Sequence, residues 1–254
     1  MIELFKYRGL IKNLVIKEMK LMYKNSSLGF FWSLLNPLLR TFIFYFVFTK
    51  IFHIGVEHFV IYLLCGILAW MFFAGSLNCA TTSIVSNSSL IQKVYFPREI
   101  FPISLTLSKL VNFLLALIVL FLWIIFSKIK IGLPIIYLPL IILIQLLFTI
   151  GMGFLFATIY VFIRDLGHLL ELILLLWFYA TPIFYRIDMV PSKIRHIYML
   201  NPMAALITFY RNILLYNKYP NLKLLVITAL TSIITLVIGW SIFNHYSKRF
   251  PEEI

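Results

Sequence analysis

Few side chains in this sequence combine residue type and spacing in a way that could support chemistry. His168 and Glu171 are three residues apart and would share one helix face, with Asp165 one turn before them. Glu171 could carry a proton, and only these three residues approach what a membrane transferase acting on lipid-linked sugars would need. The five histidines are otherwise scattered without H-E-x-x-H spacing, so we predict no catalytic residue and no metal site.

The sequence also lacks a means of using nucleotide energy. It contains no phosphate loop of the G-x-x-x-x-G-K-[ST] type, and none of its ten glycines precedes a lysine. Carriers driven by an ion gradient usually hold carboxylates near the bilayer midplane. Here Glu171 is the only acid within an apolar run, about one turn from the edge of that run. We therefore expect a separate ATPase to drive any directional work, and no cofactor bound by this chain.

The composition predicts an all-α integral membrane protein with a single domain covering residues 1–254. The chain is 62% hydrophobic and 12% charged, with a mean hydropathy of +0.99. A helix that crosses the hydrocarbon layer of a membrane needs about 20 apolar residues. Six runs are long enough, and we predict transmembrane helices at 30–52, 59–80, 104–127, 134–163, 168–185 and 222–244. The net charge of +13 fits an anionic lipid surface better than a nucleic acid.

The N-terminal segment 4–24 predicts an amphipathic helix lying on the membrane surface. At 100° per residue its polar face collects Lys6, Asn13, Lys17, Lys20 and Lys24, and its apolar face collects Leu4, Leu10, Ile11, Leu14, Val15 and Met22. The basic residues place this end in the cytoplasm, and six spans then place both termini there. The helix would serve as an anchor, or additionally as a docking collar.

The stretch "SLIQKVYFPREIFP", residues 89–102, concentrates polar residues between two predicted spans. Its spacing predicts a short helix that Pro97 ends, and Pro102 is tolerated where the third span opens. An exposed aromatic edge, Tyr95 and Phe96, suits a groove in a partner protein. The alternative is a turn that only caps the bundle. The predicted docking residues are Lys93, Tyr95, Phe96, Arg98 and Glu99.

Five stretches, in order along the chain, resemble the permease subunit of ABC-2 type ABC transporters. They are "KLMYKNSSLGFFWSLLNPLL" at 20–39, "KVYFPREIFP" at 93–102, "VFIRDLGHLLEL" at 161–172, "FYATPIFY" at 178–185 and "LNPMAALITFYRNILL" at 200–215. The resemblance is to the polysaccharide-export branch, which includes exporters of O-antigen, capsule and teichoic acid. Each motif is degenerate alone, and their order makes the set specific.

The resemblance implies a homodimeric channel for lipid-linked polysaccharide in the bacterial inner membrane. It implies two copies of an ABC ATPase, which would bind the ATP and Mg, and a coupling helix at 89–102 that enters their cleft. It further implies that the outer segment 186–221 forms short re-entrant gate helices. An ABC-2 exporter of a small drug or lipid is the alternative cargo class.

Arg40 is the least expected charge, because it lies about ten residues, or about 15 Å, into the first predicted span. It could line the channel and meet a pyrophosphate or an acidic sugar. Alternatively it snorkels inward, or it pairs with Glu171 of another span.

Aromatic residues of the first, second and fifth spans are candidates for sugar contact, since those spans line the channel in relatives. The candidates are Tyr45, Trp70, Phe73, Trp177 and Tyr179. Each could equally belong to an interfacial belt or to ordinary bulk. We assign the outer gate to Pro182, Asn201, Pro202 and Arg211, with Pro182 expected to kink its helix. Arg164 and Asp165 would form a cap or a second turn facing the ATPase.

Overall fold

The computed structural model describes residues 6–23, 31–51, 57–93, 96–189, 191, 198 and 200–253. Every regular element in these ranges is helical, as the sequence predicts. The α-helices, numbered in chain order, are α1 (Arg8–Tyr23), α2 (Phe31–Phe46), α3 (Phe59–Thr82), α4 (Ser88–Lys93), α5 (Ile100–Phe126), α6 (Leu138–Phe162), α7 (Leu166–Tyr179), α8 (Pro202–Leu214), α9 (Leu222–Ser247) and α10 (Phe250–Glu253). A π-helical turn, Val47–Ile51, continues α2, and 3-10 helices form Val85–Asn87, Leu133–Tyr137 and Ile187–Met189.

Four helical segments of the described chain are long and apolar enough to cross a membrane. They are α3, α5, α9 and the segment Leu133–Phe162, in which a 3-10 turn leads into α6. They have 24, 27, 26 and 30 residues and coincide with four of the predicted spans. The 30-residue segment begins irregularly, because Pro134 lies in its 3-10 turn and Pro139 lies in the first turn of α6. The chain is therefore a multi-pass membrane protein.

The other two predicted spans form shorter helices. The helix α2 has 16 residues, and its π-helical continuation carries the helical segment from Phe31 to Ile51. The helix α7 has 14 residues, which is about 21 Å of helix and less than the roughly 30 Å of hydrocarbon. The count of six spans therefore stays a prediction.

The end of α7 differs from the sequence prediction. The helix stops at Tyr179, before Thr181 and Pro182, rather than continuing to 185. Proline has no backbone N–H and disfavours helical geometry at the residue before it. The prediction that Pro182 kinks a span is wrong, because the helix has already ended there.

The central helix of the bundle is α3. It contacts α2, α5, α6, α7 and α8, and most of its residues are buried. A helix that is apolar on every face can satisfy all of those faces only by burial among other helices. The side chains that the sequence assigns to the channel from this helix therefore lie inside the protomer.

Glycine permits a close crossing of α6 and α9. A Cβ added to Gly151 of α6 would lie 2.6 Å from the backbone nitrogen of Leu236 in α9. A Cβ added to Gly239 of α9 would lie 2.2 Å from the carbonyl oxygen of Gly151. On the other side of α6, a Cβ at Gly153 would approach the Cβ of Ala80 to 3.0 Å. Gly151 and Gly153 therefore allow α6 to pack closely against its neighbours.

Both ends of the described chain lie at the same end of the bundle. A buried apolar cluster there joins five helices and the loop before α5, through Ile84, Ile91, Phe96, Ile100, Phe101, Phe154, Ala157, Val161, Phe243 and Phe250. Tyr7, which precedes α1, packs against this cluster together with Leu10 and Leu14. The N-terminal helix, the segment 89–102 and the C-terminal helix are thus neighbours. We refer to the segment 89–102 as the elbow and to this end of the bundle as the elbow end.

The helix α1 is amphipathic, as predicted. Its polar positions are exposed, namely Lys6 just before it and Asn13, Lys17 and Lys20 within it. Leu10, Ile11, Leu14 and Val15 are partly buried, and the helix packs against α5. Met22 differs from the prediction because its side chain is 38% exposed. Leu4 and Lys24 lie outside the described residues.

Candidate functional site

The elbow, residues 89–102, contains the short helix that the sequence predicts. The helix α4 covers Ser88–Lys93; its Ile91 side chain is buried in the cluster at this end, whereas Leu90 and Lys93 are exposed. This alternation leaves a small surface, apolar and basic, that points away from the bundle. Tyr95 lies outside the described residues.

Phe96 and Arg98 lie differently from the sequence prediction. The Phe96 side chain is 9% exposed, and its ring lies 5.4 Å from the ring of Phe101. The prediction that Phe96 forms an exposed edge is wrong, because its side chain belongs to the buried apolar cluster at this end of the bundle. Arg98 is half-buried and donates a hydrogen bond from Nη1 to the carbonyl oxygen of Ser247, the last residue of α9. Glu99 is half-buried beside it.

A second arginine also binds the C-terminal segment. Arg164, in the turn between α6 and α7, donates from Nη2 to the carbonyl oxygen of Glu253 at 3.1 Å. Guanidinium groups are favourable at helix C-termini, where carbonyls carry partial negative charge. Arg164 therefore anchors α10, and Asp165 beside it stands exposed as the residue before α7.

Arg211 occupies the centre of the opposite end of the bundle. It is 4% exposed and donates to three backbone carbonyls: Nε to Tyr62 at 3.2 Å, Nη1 to Pro182 at 2.6 Å and Nη2 to Ile183 at 2.6 Å. Its guanidinium carbon lies 3.4 Å from the centroid of the Tyr62 ring. Within the described ranges, no carboxylate forms an ion pair with it. Arg211 thus joins α8 to α3 and to the chain after α7.

Two residues outside the set predicted from the sequence make the Arg211 site possible. Tyr62 supplies a carbonyl and a ring, and its hydroxyl donates to the Tyr185 carbonyl oxygen at 2.7 Å. At Gly66 an added Cβ would lie 3.0 Å from Arg211 Nη2, so the absence of a side chain leaves room for the guanidinium. No local pattern marks either residue, because the partners are far apart in sequence.

Asn201 connects the start of α8 to the end of α7. Its side-chain oxygen accepts from the Met203 backbone at 3.0 Å, which is an N-cap, and from Trp177 Nε1 at 3.0 Å. Its side-chain nitrogen donates to the Thr181 hydroxyl at 3.0 Å. Pro202 follows as the first helical residue, where its missing N–H costs nothing. The sequence placed Asn201 and Pro202 in the gate, but no local pattern indicated the bond to Trp177.

We expect Asn201→Ala to lower the free energy of unfolding by about 2–4 kcal/mol, since a cap and two further hydrogen bonds are lost together. Asn221→Ala is the matched control, because the Asn221 side chain caps exposed α9 through one bond, to Leu224 N at 3.1 Å. We expect about 1 kcal/mol there. Thermal unfolding in detergent measures both. Equal losses in the two variants would contradict the bridging role of Asn201.

A pocket of about 380 Å³ lies beside Arg211. Its charged lining residues include Glu57, Lys218 and the exposed ion pair of Arg186 with Asp188, at 2.9 Å. Partial burial raises the pKa of Tyr216, which also lines the pocket, above its ordinary value, and its hydroxyl therefore stays neutral at physiological pH.

The aromatic candidates divide into buried and accessible rings. Phe73 is fully buried and Trp70 is 6% exposed, and both rings contact Trp177, at 5.1 and 6.4 Å between centroids. A buried ring offers no free face to a sugar, so in this conformation these two residues pack the protomer. Trp177 is half-buried, and Tyr179 is 56% exposed.

The helix α2 presents Arg40 at its surface and Tyr45 partly buried, with the Tyr45 ring 6.5 Å from that of Phe59. Arg40 does not pair with Glu171, since both are exposed and neither forms an ion pair within the described ranges. The pairing alternative for Arg40 is therefore wrong within this protomer.

His168, Glu171 and Asp165 are all exposed on or beside α7. In the described part of the chain, no group of three His, Cys, Asp or Glu side chains could hold a metal ion. The helix face that carries them is otherwise apolar, with Leu172 58% and Leu176 70% exposed.

An apolar, multi-pass helical bundle with a short amphipathic elbow at one end and a buried arginine at the other is the architecture of an integral membrane protein. A family model described as "ABC-2 type transporter" matches residues 9–215. This chain belongs to the ABC-2 type transporter family and is the transmembrane permease subunit of an ABC exporter.

Named relatives extend the similarity to nearly the full length. A protein of Klebsiella pneumoniae called "O-antigen export system permease protein RfbA" is 35% identical over 237 residues, which cover 93% of this chain and 91% of the relative. A protein of the same name from Myxococcus xanthus is 33% identical over 255 residues, covering 99% and 98%. A second Klebsiella pneumoniae protein of that name is 32% identical, covering 93% and 91%.

Proposed function

We propose that this chain exports lipid-linked polysaccharide of the O-antigen type across the bacterial inner membrane. The proposal is carried by the relatives named as O-antigen export permeases, which align over more than nine-tenths of both chains. In this proposal the protein is a homodimer of six-span protomers, each with both termini in the cytoplasm. A separate ABC ATPase subunit binds ATP and Mg and supplies the energy.

The channel in this proposal lies between the two protomers. Support comes from the outer faces of α2 and α7, where large apolar side chains stay exposed in one protomer, among them Phe42 at 65% and Leu176 at 70%. Arg40 and Tyr179 are exposed on the same two helices. Arg40 would attract an anionic cargo group, and Tyr179 would offer a ring to passing sugars.

The gate in this proposal is α8 with the segment around it, 186–221. The helix is 13 residues long, and ten of them are buried. Tyr210 of α8 donates to Gln145 of α6 at 2.7 Å, and Gln145 donates to the Ala69 carbonyl oxygen of α3 at 2.8 Å. A short helix held by polar bonds within the bundle suits a re-entrant element that moves only when those bonds exchange. In the sequence, the position of the Gln145 amide within an apolar run could have indicated a buried hydrogen bond of this kind.

Deleting the gene in its native host tests the cargo. We expect the surface polysaccharide to disappear while polymer accumulates inside the cell, and a plasmid copy to restore export. Unchanged surface polysaccharide would favour an exporter of a small drug or lipid. If the purified chain alone transferred sugar from an activated donor, a transferase at Asp165, His168 and Glu171 would replace the proposal.

The elbow supplies the prediction for ATPase docking. We expect Lys93→Glu to lower co-purification of the ATPase about tenfold, because the substitution reverses the charge of an exposed side chain of α4. A tenfold change in affinity corresponds to about 1.4 kcal/mol of binding free energy. Leu90→Asp combined with Lys93→Glu should abolish co-purification. Lys130→Glu is the control, since Lys130 is equally exposed but follows the far end of α5. Full ATPase recovery with the double variant would place docking elsewhere.

A further inference from the structure

A cavity separate from the gate and from the elbow lies where four helices meet. It has a volume of about 320 Å³ and is walled by α1, α2, α3 and α5. Its polar lining consists of Asn36, Lys109 and Asn112, and its apolar lining includes Met22, Trp32 and Gly75. Trp32 and Met22 are 44% and 38% exposed, so the cavity opens to the outside of the bundle beside α1.

Lys109 is the charge that this cavity contains. It lies nine residues into α5, about 14 Å along the helix from Ile100. Its Nζ lies 3.7 Å from the sulfur of Met22, which is a weak acceptor. Within the described ranges, Lys109 forms no ion pair, and no acidic residue lines the cavity. An ammonium group at such depth in an apolar span is unfavourable without a counter-charge.

Further donors converge on the same space. The side-chain amide of Asn112, one turn after Lys109 on α5, reaches the Met22 sulfur at 3.3 Å. Asn36 of α2 faces the cavity as well. An ammonium group with neighbouring amide donors suits a phosphate group, because the phosphate oxygens accept strong charge-assisted hydrogen bonds. The Met22 thioether can give way, since its side chain is exposed and unbranched.

We propose that this cavity binds the phosphate headgroup of an anionic membrane phospholipid from the leaflet in which α1 lies. The exposed lysines of α1 nearest to Met22 in the sequence, Lys17 and Lys20, enrich that leaflet surface in anionic lipid next to the opening. The apolar side chain exposed at the opening, Trp32, contacts the acyl chains. Among the described residues that line the cavity, the one cation is Lys109, which matches one phosphodiester. The site is independent of the cargo and of the gate.

Native mass spectrometry of the full-length protein tests the site. The protein is reconstituted in nanodiscs that contain phosphatidylglycerol and phosphatidylcholine, and the retained lipids are counted after release. We expect the wild type to retain one phosphatidylglycerol at least tenfold in preference to phosphatidylcholine. Lys109→Gln should reduce that preference at least fivefold, because the charge is lost while the side-chain size is nearly kept.

Two further variants separate the cavity from general surface charge. Lys12→Gln removes a cation from the exposed face of α1 and should keep the preference. Gly75→Leu should remove it with Lys109 intact, because an added Cβ at Gly75 meets only Lys109 Cδ, at 3.9 Å, and the side chain can extend into the cavity. This variant decides the matter if Lys109→Gln fails to fold.

Three results would overturn the proposal. One is an unchanged preference in both Lys109→Gln and Gly75→Leu. Another is an equal loss in Lys12→Gln, which would assign the effect to the general surface potential of α1. The third is displacement of phosphatidylglycerol by a polyprenyl diphosphate at equal mole fraction, which would make the cavity a cargo site.

Discussion

Replacing Arg211 with methionine is expected to lower the free energy of unfolding by about 3–5 kcal/mol, because three buried carbonyl oxygens lose a charged donor. Methionine nearly keeps the volume, so the loss reports the hydrogen bonds and the contact with the Tyr62 ring. The melting temperature in detergent should fall by about 10 °C. Arg211→Lys should recover only part of it, since a compact ammonium cannot reproduce the planar fork.

The matched control is Arg186→Met at the same end of the bundle. Arg186 is exposed and forms a surface ion pair with Asp188, so we expect a change below about 1 kcal/mol. The pair of variants compares the same substitution in a buried and an exposed setting. If Arg211→Met and Arg186→Met had the same melting temperature, the guanidinium of Arg211 would not hold α8 to α3 and the end of α7.

The glycine crossing supplies the second large effect. Gly151→Ala should cost more than about 2 kcal/mol or prevent folding, because its Cβ would meet the backbone of Leu236 at 2.6 Å and backbone cannot turn aside. The helices α6 and α9 would have to separate along their whole contact. Gly239→Ala should behave alike, since its Cβ would meet the Gly151 carbonyl oxygen. The yield of monodisperse protein and its melting temperature measure the effect.

Gly75→Ala is the control for that prediction. Gly75 also lies inside an apolar helix, but an added Cβ there has open space apart from Lys109 Cδ at 3.9 Å. Alanine favours a helix over glycine by roughly 0.5–1 kcal/mol, so this variant should be neutral or more stable. A stable Gly151→Ala protein would show that the close crossing is not needed.

Local signals in the sequence predicted much of the fold. The four long spans were found because unbroken apolar runs of 20 or more residues have few alternative structures. The amphipathic character of α1 and the short helix α4 followed from residue spacing and from Pro97.

The missed features depend on residues that are distant in sequence. Phe96 is buried in a cluster whose other members include side chains of α6, α9 and α10, which no local pattern shows. Arg211 binds a carbonyl of Tyr62, 149 positions away in the sequence. The burial of Trp70 and Phe73 likewise reflects the central place of α3, whereas their residue types suit a channel equally well.

The bond from Arg98 to the last carbonyl of α9 has a mechanical consequence. This hydrogen bond connects the elbow directly to α9, so a displacement of the elbow would reach α9 without passing through the intervening chain. The helix α9 in turn packs against α6 at Gly151 and Gly239, where there is no room for a side chain between the two backbones. With these two contacts in series, a displacement of the elbow would move α9 and α6 together with it.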